Sequence, residues 1–368
     1  MGAFDDRPPP PRGPLQGAPG GANWDDWDPL SARRGYTEHM GALRGFSAPA
    51  RNPIDLPEPT LARVPSGESP PLSPAALALS ARADTEDYLT VTYDVREPGF
   101  AELYEALIQP QWSVPFGRLL LSVFLTLPRD TGWQGLDVAC GAGYPTLELA
   151  RHTGQDCDIA GIDIWEDAIL LARRKASESW LRNVTFLVAD IMRSGLPENS
   201  FDTITCNLGL TSFSDRAGAL RAMWRLARPR GRVLITTPTQ AAMREFLDTY
   251  YLTLRDLKLG DYQRAFGQQV AMRPTSDGVR TLMERVGFQV ERVVTDTFTL
   301  RFPTPQAFLR SPLIQTTFMA GWRGIISDVT VRRLVFNEVE RRLEARAAAN
   351  GGELTMTAPM VCVVGARV

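Results

Sequence analysis

The chain has 368 residues, 44% of them apolar and 22% charged, so one large domain or two modest ones can bury a sizeable core. The formal net charge of -2 excludes the concentrated basic field that a general polyanion binder needs, and no nucleic-acid partner is expected. Cys140, Cys157, Cys206 and Cys362 are dispersed, and only His39 and His152 could join them. That pattern offers neither a metal site nor a disulfide framework and suits a reducing cytosol.

About half of the 28 prolines precede residue 85. The run Pro8–Pro11, the Gly17–Gly21 region and Pro53–Pro59 sustain neither helices nor strand ladders, and residues 1–83 are expected to form a disordered, Pro-rich tail. Inside it, Asn23–Leu30 mixes Trp24 and Trp27 with acids and reads either as a docking peptide for a protein partner or as a sticky spot. The N-terminus lacks the basic-then-apolar order of a secretory signal. The longest apolar run, Leu119–Leu127, is too short to cross a bilayer, so no membrane span is expected and a cytoplasmic location is the natural reading.

Order is expected from Asp84. Phe100, Leu103, Tyr104, Leu107 and Ile108 follow helical spacing. Short apolar runs then alternate with amphipathic stretches. The runs are Gly135–Ala139, Asp158–Ile164, Val184–Ala189, Thr203–Asn207 and Val233–Thr237; helical patterns such as Ala168–Ser177 and Arg216–Ala227 lie between them. Strands alternating with helices predict an α/β fold with a mostly parallel sheet covered on both faces. Residues 240–270 look helical with exposed-type aromatics (Phe246, Tyr250, Tyr251, Phe266), Ser276–Val286 is a helix ended by Gly287, and Phe288–Phe302 is a long strand. A helical insertion over about 304–350 precedes a last strand, Leu354–Val368. The expected domain is residues 84–368, with helical cap elements at 86–127, 240–270 and 304–350.

The chemistry gathers at three strand ends. Gly135–Ala139 runs into Cys140-Gly141-Ala142-Gly143, where missing Cβ atoms let a nucleotide-like ligand approach the backbone. The dinucleotide fingerprint asks for a third glycine at the position of Thr146, so a pyrophosphate finds a poor cradle. Asp137, just before the turn, suits a cationic ligand such as S-adenosylmethionine, whose sulfonium and ammonium both gain from an anion; the alternative is that Asp137 only braces the loop. Asp163, 20 residues after Gly143, is placed to accept from ribose hydroxyls, with Ile164 and Trp165 beside it for adenine packing or for starting a helix. Asp190 ends the next strand, in reach of an adenine amine, with Ile191 for the ring. A lone strand-end Asp is usually a turn or cap residue, but three in register with a Gly-x-Gly loop form a set.

Together, Asp137–Gly143, Gly161–Asp163, Asp190 with Leu196–Asp202, and Leu226–Leu234 closely resemble the class I S-adenosylmethionine-dependent methyltransferases. The likeness is best to the type 11 branch that includes the ubiquinone/menaquinone-biosynthesis methyltransferases, over about residues 85–300. Two glycines usual in the family are replaced, by Ala139 and Arg230. The resemblance implies a Rossmann-like seven-stranded sheet with an antiparallel last strand, and S-adenosylmethionine as cofactor. Its implied contacts are Asp137 at the methionine end, Ala139, Gly141 and Gly143 in the loop, and Asp163 at the ribose, with Ile164 packing on the adenine. Asp190 with Ile191 would lie at the adenine, Asn207 near the methyl or the methionine carboxylate, and Tyr93 would close over the ligand or pack a helix.

Methyl transfer from a sulfonium needs alignment and exclusion of water, with a base only for a protonated acceptor. The sequence shows no obvious base, and no catalytic residue is assigned: His152 sits at a helix C-terminus and His39 in the tail. Asn207-Leu208-Gly209-Leu210 lacks the Asn-Pro-Pro-aromatic pattern used on nucleic-acid amines. The arginines between Arg332 and Arg346 interleave with Glu338, Glu340 and Glu344, which reads as an ion-paired face. The acceptor is expected to be a small, fairly hydrophobic molecule; Trp112, Phe116, Tyr250, Tyr251, Phe308, Phe318, Met319 and Trp322 either line its site or glue the insertions to the core. The other readings are a protein or RNA methyltransferase and a non-catalytic binding scaffold that docks a partner through its tail.

Overall fold

The computed structural model describes residues 71–129 and 132–368; the Trp24–Trp27 docking patch and the expected tail up to residue 70 lie outside them. Within the rest of that expected tail the structure corrects the sequence reading. Residues Pro74–Thr85 form a helix (α1), capped by the Ser73 hydroxyl, which accepts from the Ala76 amide at 3.3 Å, and started by Pro74, whose missing N–H costs nothing there. Ala76, Leu79 and Ala83 are buried, and Arg310 donates to the Ala83 carbonyl at 2.9 Å, so α1 is part of the domain.

Seven strands build one sheet: β1 Gln134–Val138, β2 Asp158–Asp163, β3 Val184–Val188, β4 Phe201–Asn207, β5 Ala227–Pro238, β6 Phe288–Phe302 and β7 Leu354–Arg367. Their spatial order is β3-β2-β1-β4-β5-β7-β6. The pairs among β1 to β5 are parallel; β7 runs antiparallel between β5 and β6. The order reverses between β1 and β4, and at such a switch point the outgoing chains diverge and leave a crevice over the strand C-termini. The interior strands are continuous apolar runs because both faces are covered, as in Val233–Ile235 and Val361–Val364, all buried. The outer strand β6 instead shows solvent Glu291, Arg292, Asp296 and Arg301, charges that discourage pairing with another edge.

Helices Ser113–Phe124 (α2), Thr146–Thr153 (α3), Glu166–Glu178 (α4), Arg216–Leu226 (α5) and Ser276–Val286 (α8) flank the sheet, the last closed by Gly287 at φ 112. The stretch 240–270 splits into Arg244–Asp256 (α6) and Gly260–Ala271 (α7). The aromatics expected at its surface are largely core: Phe246, Tyr250 and Phe266 are fully buried, stacked among Phe308, Trp322 and Phe336. They bury because the 304–350 insertion, with its long helix Val329–Ala349 (α9), packs over α6 and takes the apolar face of α6 out of water. On α9, Glu338 pairs with Arg341 and Arg342 at 2.6 and 2.7 Å, and Arg342 also reaches Asp256 at 2.9 Å, so these arginines are engaged in ion pairs. Among the described residues no helix is long and apolar enough to cross a membrane.

Candidate functional site

The loop after β1 is held open by backbone geometry and by carboxylates. Ala139, where a glycine is usual, still adopts φ 57, and Gly141 has φ 51; the left-handed conformation turns the chain sharply at the strand end. A Cβ built on Gly141 would meet no protein atom within 4 Å, because that side of the loop faces a cavity of about 390 Å³. Gly143 is different in kind: a Cβ there would stand 3.0 Å from the Ala172 methyl and 3.2 Å from Phe186, so its absence serves packing of α4 and β3.

Asp163 joins the loop to the next strand. One carboxylate oxygen accepts from the Gly141 amide at 2.8 Å and the other from the Trp165 amide at 2.9 Å, while burial pushes its pKa upward. It lines the cavity with lone pairs to spare, since a carboxylate offers about four acceptor sites. Asp190 caps the short turn Ile191–Arg193 by accepting from the Met192 amide at 2.9 Å, and it too lines the cavity, with Ile164 and Ile191 presenting apolar surface beside it. The two acids are held by backbone amides rather than by cations: among the described residues no Arg, Lys or His lines this cavity.

Two of the expected contacts lie off the cavity, and a third lines it with its amide bonded to protein. Asp137 does not reach the cavity; it is wholly buried, accepting from the Thr146 hydroxyl at 2.5 Å and the Thr205 hydroxyl at 2.7 Å. Burial, partly offset by these two bonds, pushes its pKa up to about 6. The residue that breaks the dinucleotide pattern, Thr146, is thus the one that ties α3 to β1. Asn207 lines the cavity, but its amide is committed to protein: it donates to the Ser113 carbonyl at 3.1 Å and accepts from the Thr236 hydroxyl at 2.6 Å, locking α2 onto the ends of β4 and β5. Tyr93 lies outside the lining of either cavity, behind Phe100, with its ring under the Arg82 guanidinium.

The aromatics over the crevice are instead Tyr104 and Trp165, set edge to face at 5.5 Å. Tyr104 lies in a one-turn π-helical bulge, Tyr104–Ile108, and its hydroxyl bonds the Ser113 hydroxyl at 2.6 Å. Trp165 carries a buried indole N–H with no partner. Sequence periodicity marked Tyr104 only as a core-facing helix position; the bulge that rotates it towards the crevice leaves no such trace.

Tyr104, Trp165, Leu208 and Ser212 also line a second, contiguous cavity of about 660 Å³ over the ends of β4 and β5. Its walls come from the chain around 95–112, the end of α7 and the segment 316–322. Of the residues singled out for an acceptor, Trp112, Phe318 and Trp322 line it; Phe116, Tyr250, Phe308 and Met319 are buried behind it as core, and Tyr251 is partly buried against the same core. The same residue types therefore divide between the two expected roles.

A methyltransferase-domain family matches residues 130–287. Ubiquinone/menaquinone biosynthesis C-methyltransferase of Teredinibacter turnerae is 30% identical over 167 residues, 43% of this chain and 67% of that protein. Demethylmenaquinone methyltransferase of a Geobacillus species is 30% identical over 124 residues, 34% of this chain and 53% of that one. The chain thus spans between about half and two thirds of the length of the curated relatives it matches, and the family match over residues 130–287 covers β1 to β5 with the loop, Asp163 and Asp190.

Proposed function

Because this chain belongs to the class I S-adenosylmethionine-dependent methyltransferases, in the branch that includes the ubiquinone/menaquinone-biosynthesis enzymes, we propose that it binds S-adenosylmethionine in the crevice over β1, β2 and β3 and transfers its methyl group to a small, largely apolar acceptor in the adjoining larger cavity. When bound, that cofactor supplies a methyl group made electrophilic by the sulfonium. The residues present fit it. Gly141 leaves room for close approach, Asp163 and Asp190 have acceptor capacity left, Ile164 and Ile191 offer apolar surface, and the Trp165 indole N–H lacks a partner.

In this reading Asp163 performs two tasks with one carboxylate. Its bonds to the Gly141 and Trp165 amides fix the loop and the start of α4, and its free lone pairs accept from ribose hydroxyls. Asp190 receives an adenine amine. Asp137 acts at a distance, as a buried negative charge behind the loop, where low dielectric strengthens its attraction for a cation. Tyr104 and Trp165 cover the boundary between the cavities, orienting the two reactants and keeping water from between them.

The observation that carries this reading is the pair of amide-held carboxylates facing an arginine- and lysine-free cavity beside an open glycine. The test is calorimetric titration of the full chain with S-adenosylhomocysteine. Micromolar binding is expected, with Asp163→Asn weakening it about 10- to 100-fold through the loss of charge-assisted hydrogen bonds. Incubation with methyl-labelled cofactor and a metabolite extract should then place the label on a small organic-soluble product. Absence of binding by the wild-type chain, or label confined to protein or RNA, defeats the proposal.

A further inference from the structure

The two cavities have opposite charge. Among the described residues the smaller is lined by Asp163 and Asp190 with no cation, whereas the larger is lined by Arg216 and Arg273 with no Asp, Glu, His or Lys. Arg273 stands just past the C-terminus of α7, where its guanidinium donates to the Ala242 carbonyl at 2.9 Å and lies 6.0 Å from the centre of the Phe318 ring. No carboxylate pairs with it among the described residues, and burial lowers its pKa to about 10. An arginine with five donors, one carbonyl and one ring face leaves most of its hydrogen-bonding capacity unused.

Its neighbours are also incomplete. Gln269, one turn earlier, donates to the Gly321 carbonyl at 2.8 Å, yet its side-chain oxygen is buried without a partner. The Trp322 indole N–H and the Trp165 indole N–H are likewise buried and unpaired, and all three residues line this cavity. Buried polar groups are normally satisfied, so a concentration of unsatisfied ones around an uncompensated charge marks where a ligand completes the set. The remainder of the wall is apolar, with Phe100, Ile108, Trp112 and Phe318.

Resting on the methyltransferase reading above, we infer that the methyl acceptor is an aromatic or otherwise apolar molecule bearing a carboxylate, which Arg273 receives with help from the Trp322 indole N–H, while the Gln269 side-chain oxygen accepts from a donor elsewhere on the same molecule. The same inference accounts for a chemical gap. The cavity offers no general base: its one phenol, Tyr104, is bonded to Ser113, and burial raises its pKa further. An acceptor that enters as an anion needs no protein base. Placing a negative acceptor against a cationic donor also favours their encounter in a partly desolvated site.

The probes are 2-naphthoate and its neutral analogue 2-naphthamide, titrated calorimetrically into the full chain saturated with S-adenosylhomocysteine. The carboxylate should bind about 10- to 100-fold more tightly than the amide, the span expected for hydrogen bonds to a charged group. Arg273→Met should erase that preference, Arg273→Lys should keep part of it, and S-adenosylhomocysteine affinity should stay within about twofold in both. Equal binding of the two probes to the wild-type chain overturns the inference without recourse to any variant, as does a preference that survives Arg273→Met. A large loss of S-adenosylhomocysteine affinity in both variants would assign Arg273 to the cofactor's own carboxylate and overturn it too. Failure of the wild-type chain to take up S-adenosylhomocysteine instead strikes the methyltransferase reading, so the two failures are told apart by the first titration.

Discussion

Asp137 is the residue whose placement departs most from its expected role, and Asp137→Asn tests what it does. In the unfolded chain its pKa is the ordinary 3.8; in the native state burial takes it to about 6. Below pH 3.8 both states hold the proton and the group contributes nothing to pH dependence. Between 3.8 and 6 the native state keeps a proton that the unfolded state has lost, so stability falls as pH rises through this window. Above pH 6 the full cost is present, about 2.2 pKa units or roughly 3 kcal/mol, because the ionised form is the disfavoured one in this environment. Asparagine keeps the shape and cannot titrate. Its amide satisfies the Thr146 and Thr205 hydroxyls less well than a carboxylate, but that loss is nearly independent of pH. The stability difference, variant minus wild type, should therefore grow by about 1.5 kcal/mol in favour of the variant between pH 5 and pH 8, half of the cost being already present at pH 5. Urea unfolding at both values measures it. The variant should also weaken S-adenosylmethionine more than S-adenosylhomocysteine at pH 8, since only the former carries the sulfonium. Parallel stability profiles would refute the raised pKa, and equal loss of both ligands would refute the role as a distant counter-charge.

Gly141→Val places a side chain in space that no protein atom occupies. It should cost about 1–2 kcal/mol for the left-handed backbone, read by urea unfolding, yet abolish S-adenosylhomocysteine binding in calorimetry. Gly143→Ala should reverse the order, losing stability first because its Cβ crowds Ala172 and Phe186. Removing residues 1–85 should lower stability by ~2 kcal/mol or more relative to removing residues 1–70, as read by urea unfolding, since burial of Leu79 alone is worth about that much.

How much of this was legible in the sequence depends on what each feature rests upon. The strands were readable because their signal is local: a buried parallel strand must be a short apolar run, and Phe288–Phe302 was delimited to the residue by Gly287 before it and Pro303 after it. Helix α1 escapes a reading by composition because it follows a Pro-rich stretch, although Ser73-Pro74 is a helix-start signature. Asp163 and Asp190 were placed at the crevice because a strand end in a parallel sheet has only one place to point. Asp137 occupies an equivalent-looking position but sits within β1, inside the sheet rather than past its end, and alternation along a strand of five residues turns it to the Thr146 and Thr205 hydroxyls.

The larger cavity was legible only as a list of aromatics, because its walls come from three segments that are distant in the chain and converge through tertiary packing. Residue type cannot say which face of a helix meets core and which meets a void. Phe246 and Tyr250 on α6 and Phe308 in the insertion became core, while Trp112, Phe318 and Trp322 remained on the wall. What separates the groups is position relative to the strand ends: the Trp322 indole N–H and the Gln269 side-chain oxygen on the wall lack partners, whereas the buried Tyr250 hydroxyl donates to the Trp322 carbonyl at 3.1 Å. A molecule in the cavity can complete both wall groups, offering an acceptor to the indole N–H and a donor to the amide oxygen.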